Sequence, residues 1–514
     1  MKKIIVLLVA IVTCACALFT GCNNSTGYDN KLSIDANGAV SSNGGFAVVK
    51  GEHLYFINGI ASYTEDNTYG DVQAGALYRV KLSDLANPKD ANPEQVIPAL
   101  FVAGDLTSGF YIFGNDVYYA SPVTTKNKEG VVENTKLDFI KTSLNGKTSV
   151  TLKTVADRNT QYRFVESNGV VYLVLKTVNE DSETVVEIIN ATENKVVCTT
   201  DKVASVIFAD DNSTGVFYTR VAHDETLDKD EAFNGIHRVS VDGTDELLLL
   251  GNGLYDNETG FGLSGATFTL IKETKDHLYF SATYVDTSVT TVVKYYALAK
   301  DGLTKENAAE KLTLINEGTA SAATVFAATS YYANTNAIVY LDATYGLIKY
   351  DYTVVNDANS PEGRVRIFYD KDLVGYTVKF WNNGYLYLTD SNSNYFRVNV
   401  DALIDDNTEN DDVKVEKVNF LANSTSWYIP EVIAHDGNEY FLSVYTAEPY
   451  SNLVFVSNIA ANNSEDMTDE KIEEIREITE EQVSLNLEAS ISFITESVQE
   501  TIDKYFEDNF SEEE

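Results

Sequence analysis

From residue 44 onward the chain alternates between short apolar runs and polar turns, and one arrangement of them recurs. A short apolar strand leads to a turn, and a second strand ends in aromatic residues. A third strand alternates polar and apolar positions, and a fourth short apolar run closes the unit. The second strand is the clearest marker: His53-Leu54-Tyr55-Phe56, Asp116-Val117-Tyr118-Tyr119, Val170-Val171-Tyr172-Leu173, Gly215-Val216-Phe217-Tyr218, His277-Leu278-Tyr279-Phe280, Ala337-Ile338-Val339-Tyr340, Tyr385-Leu386-Tyr387-Leu388 and Asn438-Glu439-Tyr440-Phe441. The eight copies lie roughly 55 residues apart on average. Third strands follow at Leu77-Tyr78-Arg79-Val80-Lys81-Leu82, Phe139-Ile140-Lys141-Thr142-Ser143-Leu144, Ile236-His237-Arg238-Val239-Ser240-Val241 and Tyr395-Phe396-Arg397-Val398-Asn399-Val400. Such alternation of β-branched and aromatic residues marks a half-buried strand. Asn145-Gly146, Asp242-Gly243 and Asp301-Gly302 then tolerate the positive φ angles of tight turns.

Four strands per unit, repeated eight times, predict an all-β fold: a β-propeller over residues 44–480, with eight blades favoured over seven. Each sheet then buries its faces against its neighbours and needs no closed core of its own. Ile472, Ile475 and Ile478 fall where a last blade strand belongs. Leu487, Ile491, Ile494, Val498, Ile502 and Tyr505 recur at intervals of three and four, which predicts a short amphipathic helix within residues 481–514. The alternation Val483, Leu485, Leu487, Ala489 also fits a strand, which leaves the start of that helix open. Residues 465–514 hold 18 acidic against 3 basic side chains.

Three connections between second and third strands are long: residues 59–75, 121–136 and 221–234. In an up-and-down blade they share a face with the links between blades, and long polar loops on a rigid scaffold are where binding is usually placed. Tyr63, Glu65, Asp66, Tyr69 and Asp71, in the first loop, are the candidate binding residues.

Tyr387-Leu388-Thr389-Asp390, followed by Phe396-Arg397-Val398 and Val400-Asp401, resembles the YWTD-type repeat of low-density-lipoprotein-receptor-like propellers. Arg238-Val239-Ser240-Val241-Asp242-Gly243 and Ile140-Lys141-Thr142-Ser143-Leu144-Asn145-Gly146 resemble its second half. The Trp of that repeat is replaced throughout, and eight repeats exceed the family's six. The chain also resembles bacterial lipoproteins that carry such domains. At the other end of the chain, Lys2 and Lys3 precede an apolar run from Ile4 to Phe19, the layout of a secretory signal peptide over residues 1–21. Its end, Leu18-Phe19-Thr20-Gly21-Cys22, resembles a bacterial lipobox. This implies that Cys22 is lipidated and anchors the chain outside the cell membrane, with residues 22–43 as a polar tether.

Removal of residues 1–21 leaves Cys22 and Cys198 of four Cys. With Cys22 taken by lipid, no internal disulfide forms, and Cys198, in an apolar stretch, reads as a buried structural thiol. The formal net charge of −39 argues against nucleic acid and anionic lipid headgroups as ligands. The chain contains no HExxH, GxSxG, P-loop or sialidase Asp-box motif, and no His pair at metal-ligand spacing. His53 and His277 occupy the same repeat position and read as structural. Asp390-Ser391-Asn392-Ser393-Asn394 with Asp401 offers oxygen ligands at alternate positions. Tyr395 stands where a calcium loop needs Gly, however, and the segment reads as a turn. The sequence therefore predicts no catalytic residue, no metal and no cofactor. It predicts a monomeric binding or scaffold module for a protein or cell-wall polymer. The alternative is an extracellular hydrolase or lyase that uses acidic residues near the central channel on glycans or peptides.

Overall fold

The computed structural model describes residues 30–59, 68–69, 72–73, 75–86, 93–102, 109–157, 159–220, 235–250, 267–285, 290–316, 326, 330–332, 336–344, 346–352, 366–370, 373–382, 384–391, 395–400, 415–419, 427–445, 454–458, 460–463 and 491–492 of the 514. The chain is an all-β propeller of four-stranded antiparallel blades. Among the described residues the helical elements are two short 3-10 turns, Leu82–Ala86 and Ala308–Lys311. It divides into two units, Met1–Phe164 with Ser426–Asn458 and Gln482–Glu514, and Val165–Thr425 with Ile459–Glu481.

The second unit shows why the repeat folds as it does. Blade three runs Gln161–Ser167, Val170–Val178, Thr184–Asn190, Lys195–Thr200, and blade four runs Val203–Phe208, Thr214–Arg220, Gly235–Ser240, Asp245–Leu250. Blade five is Thr267–Glu273, His277–Val285, Thr291–Ala299, Leu312–Asn316, and blade six is Tyr331–Tyr332, Ala337–Asp342, Gly346–Asp351, Arg366–Asp370. Blade seven is Thr377–Asn382, Tyr385–Thr389, Tyr395–Asn399, Val415–Asn419. Successive side chains of a strand point to opposite faces, and here each face belongs to a different neighbour. On the second strand of blade five, Leu278, Phe280 and Ala282 join Phe217, Ile236, Leu248 and Leu249 of blade four in one buried cluster. Tyr279, between them, turns the other way, toward Ile338, Tyr340 and Ile348 of blade six. Blade six repeats the division, since Val339 and Leu347 bury with Leu386, Leu388, Phe396 and Val398 of blade seven. Val174, Val186 and Ile188 of blade three bury with Val216, Tyr218 and Val239 of blade four. A strand apolar on both faces is thus what this architecture requires.

In the first unit, blade one has strands Ala47–Lys50, His53–Ile57, Leu77–Lys81 and Glu94–Ile97, with Val40–Ser41 added along its first strand. Blade two has Tyr111–Phe113, Asp116–Lys126, Val132–Ser143 and Ser149–Val155. Phe101 stacks on Tyr119 with ring centroids 4.0 Å apart.

All eight marker sequences lie on the second strand of a four-stranded unit, which in blade one is flanked on its first strand by the added Val40–Ser41. Seven of the sheets are regular four-stranded blades, with a separate two-stranded pair, Thr68–Tyr69 and Val72–Gln73, between the second and third strands of blade one, so the expectation of eight regular blades is corrected to seven. The repeat around Tyr440 departs from the pattern. Trp427–His435, Asn438–Tyr445 and Val454–Asn458 form a meander, but the next strand, Ala460–Asn463, pairs instead with Val415–Asn419 on the outer edge of blade seven. Among the described residues, the other edge of Val454–Asn458 is paired by a two-residue strand, Ile491–Ser492. The C-terminal helix is not shown. Ile491, placed on its apolar stripe, is in that strand, and Leu487, Ile494, Val498, Ile502 and Tyr505 lie outside the described residues, as do Ile472, Ile475 and Ile478.

The aromatic marker has a second role across each sheet. Tyr55 stands opposite Arg79, and Arg79 opposite Glu94. The buried Arg79 guanidinium binds the Glu94 carboxylate at 2.7 Å. Tyr118 faces Lys141, Tyr218 faces His237, and Tyr387 faces Arg397, which in turn faces Glu416. The basic residue in the middle of the third strand is therefore a rung between a buried tyrosine and the outermost strand. The turn after the third strand of blade four shows why Asp-Gly stands there. Gly243 has φ +93°, and an added Cβ would come within 2.7 Å of the Val197 carbonyl oxygen.

If neighbouring blades share their cores in this way, Phe280→Ala, at a site with no exposure, is expected to cost about 3–5 kcal/mol. Chemical denaturation checks this. A loss below about 1 kcal/mol would mean that the ring is not held between blades.

Candidate functional site

The structure changes the character of the long connections. Residues 121–136 are not a loop, because the second and third strands of blade two continue as a two-stranded ribbon, with Lys126 opposite Val132 and Ser121 opposite Asp138. The flanking strands reach only part of it: Tyr111–Phe113 pairs with residues 116–118, and Ser149–Val155 pairs with residues 137–142. Residues 122–136 therefore stand beyond the four-stranded sheet, and Val123 and Val131 are 39 % and 57 % exposed. Asn127 builds the tip. Its backbone N–H donates to the Val131 carbonyl at 2.9 Å, and its side-chain oxygen accepts the N–H groups of Glu129 at 2.9 Å and Val131 at 3.0 Å. Blade three repeats this turn at Asn179, whose side-chain oxygen accepts from Asp181 and Glu183. An Asn that opens a five-residue hairpin turn was the sequence signal for both.

Of the candidate binding residues, Tyr69 lies on a two-residue strand, Thr68–Tyr69, that pairs with Val72–Gln73. Tyr63, Glu65, Asp66 and Asp71 lie outside the described residues, as does the loop 221–234. Cys22 lies outside them as well.

A second place, in the first unit, was missed by sequence reasoning. Glu431 sits at a bulge in Trp427–His435. Its Oε2 accepts the Ala47 N–H at 3.2 Å, and the Phe46 N–H also bonds to this carboxyl. An added Cβ on Gly45 would stand 2.5 Å from that oxygen, so the carboxyl occupies space that only glycine leaves. On the other side, the Gly44 N–H donates to the Phe110 carbonyl at 3.0 Å, and the Phe110 N–H to the Gly45 carbonyl at 3.2 Å. The Asn43 amide exchanges two bonds with Ile112, at 3.0 and 2.7 Å, and Tyr162 Oη donates to the Gly109 carbonyl at 2.7 Å. Residues 43–47 are thereby threaded between the first strand of blade two and Glu431. Burial pushes the Glu431 carboxyl up to about 7, against the opposing effect of the two N–H donors. A half-buried carboxyl with this proton affinity can take up or release a proton near neutrality. No sequence motif announces it, because its partners lie 384 residues away.

Other polar clusters are structural. In blade four, Tyr218 Oη donates to Asp245 at 2.7 Å, His237 Nδ1 lies 3.1 Å from the same carboxylate, and the two rings stack at 4.6 Å. This is the tyrosine-to-base rung of that blade. In blade five, Glu273 binds Lys300 and accepts the Asp210 N–H at 3.2 Å. Burial lowers the affinity of both His53 and His277 for a proton, and each lies beside the tyrosine two residues on, as their shared repeat position implied. Cys198 is half-buried, and burial raises its thiol above the ordinary value. Among the described residues no group of three or more His, Cys, Asp and Glu side chains converges as metal ligands.

No protein-family profile matches this chain, and no curated protein matches it. Solved structures with which it aligns include the β-propeller domain of the Trilobed protease from Pyrococcus furiosus, at 10 % identity and a TM-score of 0.34, covering 68 % of this chain and 95 % of that one. An oligogalacturonate lyase from Vibrio parahaemolyticus aligns at 11 % identity and a TM-score of 0.31, covering 82 % and 97 %. A post-proline cleaving enzyme from Rickettsia typhi aligns at 11 % identity and a TM-score of 0.37, covering 79 % and 58 %. Likenesses this distant carry no argument about activity.

Glu431 makes a pH-dependent contribution whose sign is fixed. Its folded-state value lies above the ordinary 4.5, so the folded protein keeps a proton that the unfolded chain releases between about 4.5 and 7. Stability from this group is full below that window and is lost as pH rises through it, by about 3 kcal/mol. Glu431→Gln keeps an acceptor for Ala47 and Phe46 and removes the charge. The variant is expected to melt higher than the wild type at pH 8, with the gap closing toward pH 5. Parallel melting curves checked at both pH values would refute this if the gap stays constant.

Proposed function

We propose that the chain is an extracytoplasmic propeller, lipid-anchored at Cys22, that binds a protein or cell-wall polymer through the hairpins joining its second and third strands. The observation that carries this reading is the ribbon of blade two. An ordered two-stranded projection with exposed Val123 and Val131 contributes little to its own sheet, and apolar surface of this kind gains by being covered. Its charge points the same way. Residues 122–136 hold Lys126, Lys128 and Lys136 against Glu129 and Glu133, a net positive element on a chain of net charge −39. An acidic wall polymer or an acidic protein surface suits it.

Kinship with YWTD-type propellers belongs to the same proposal. It is supported by the pairing of Tyr387 with Arg397, two residues of the resembling segment, and by the recurrence of that pairing in other blades. A hydrolase or lyase is the second reading, favoured by one observation: Glu431 holds a proton near neutrality, as a general acid requires.

Replacing residues 123–136 by Asn-Gly joins Pro122 to Leu137, which already stand opposite each other, by a two-residue turn. The shortened chain is expected to melt like the wild type and to lose the partner that the wild type captures from the native cell surface or from isolated wall. Capture undiminished by the deletion would overturn the assignment of binding to this hairpin.

A further inference from the structure

Residues 30–41 are bound to the body of the first unit. The Asn30 side-chain amide donates to the carbonyls of Val96 and Leu144, both at 2.9 Å, and its backbone N–H donates to Asn145 at 3.3 Å. Farther along, Arg79 Nη1 donates to the Ser33 carbonyl at 2.8 Å, Lys50 Nζ to the Gly38 carbonyl at 3.2 Å, and the Gly51 N–H to the Ala39 carbonyl at 3.0 Å. Val40–Ser41 then pairs with the first strand of blade one.

Arg79 and Val96 lie along strands of blade one, whereas the anchor points at Leu144, Asn145 and Gly51 lie in turns at one end of the blades. Leu144 and Asn145 belong to the turn after the third strand of blade two, and the Leu144 N–H reaches the Asn115 carbonyl, in the turn after the first strand, at 2.8 Å. The ribbon tip at Asn127–Val131 is at the opposite end. The third strand that connects the two ends, Val132–Ser143, has 12 residues and spans about 36 Å. Asn30 comes eight positions after Cys22, and those eight steps, fully extended, reach about 28 Å.

We infer that the turn-bearing end of blades one and two is the surface that faces the lipid bilayer, and that the ribbon of blade two points away from it. This rests on the reading of Cys22 as the lipid-bearing residue. Given that anchor, inverting the blade would lift Asn30 some 36 Å above the bilayer, beyond the reach of its leash. The strap therefore determines which hairpins meet the surroundings. A leash that began at residue 43, with the strap free, would impose no such choice.

Energy transfer tests this in the full lipidated chain, reconstituted in phosphatidylcholine vesicles that contain an acceptor-labelled lipid. In a Cys198→Ser background, a donor dye is attached at Lys147→Cys, beside the anchored turn, or at Glu129→Cys, on the ribbon tip. Transfer is expected to be several-fold stronger from position 147 than from 129. Inserting about twenty Gly and Ser residues after Asn24 is expected to shrink that difference. A chain that floats with the vesicles yet transfers equally from both positions, or more from 129, overturns the orientation alone. A chain that does not float overturns the lipid reading, and the orientation with it.

Discussion

A four-stranded meander rich in Val, Ile, Tyr and Phe has two apolar faces, and with no α-helix among the described residues to cover either of them, each face has to be buried by another copy of the same element. In the second unit this is met residue by residue. Leu278 and Phe280 are committed to blade four and Tyr279 to blade six, and Ile338 and Val339 divide in the same manner between blades five and seven. A one-residue slip of any second strand would exchange its two neighbours' cores. Register, blade order and the length of each repeat all follow from that single constraint.

The polar groups answer to it as well. With both faces of the sheet apolar, a charge in the middle of a third strand needs partners within the sheet. Arg79 finds Tyr55 and Glu94, His237 finds Tyr218 and Asp245, and Arg397 stands between Tyr387 and Glu416. What extends past the sheets or crosses between their ends is the ribbon of blade two, the strap beginning at Asn30, and residues 43–47 held between Phe110 and Glu431.

The marker strands, their period-two alternation and the Asn-Gly and Asp-Gly turns were legible because they depend on near neighbours in the chain. Three features were not. The ribbon at 121–136 read as a loop because Thr, Lys, Asn and Glu serve an exposed strand as well as a coil, and only pairing across the hairpin distinguishes them. The repeat around Tyr440 looked complete because its marker is intact, while the defect lies in where the next strand pairs, with blade seven. Glu431 looked like one acid among 77 Asp and Glu. Its significance depends on Ala47 and Gly45, at the far end of the chain.

The most direct measurement is hydrogen exchange, followed strand by strand, in two variants at adjacent positions of one strand. Truncating Leu278 to Ala is expected to speed exchange in Thr214–Arg220 of blade four and leave Ala337–Asp342 of blade six protected. Truncating Tyr279 to Ala is expected to do the reverse. If both changes loosen the same neighbour, or neither reaches beyond blade five, the blades are not held together by alternate faces of shared strands.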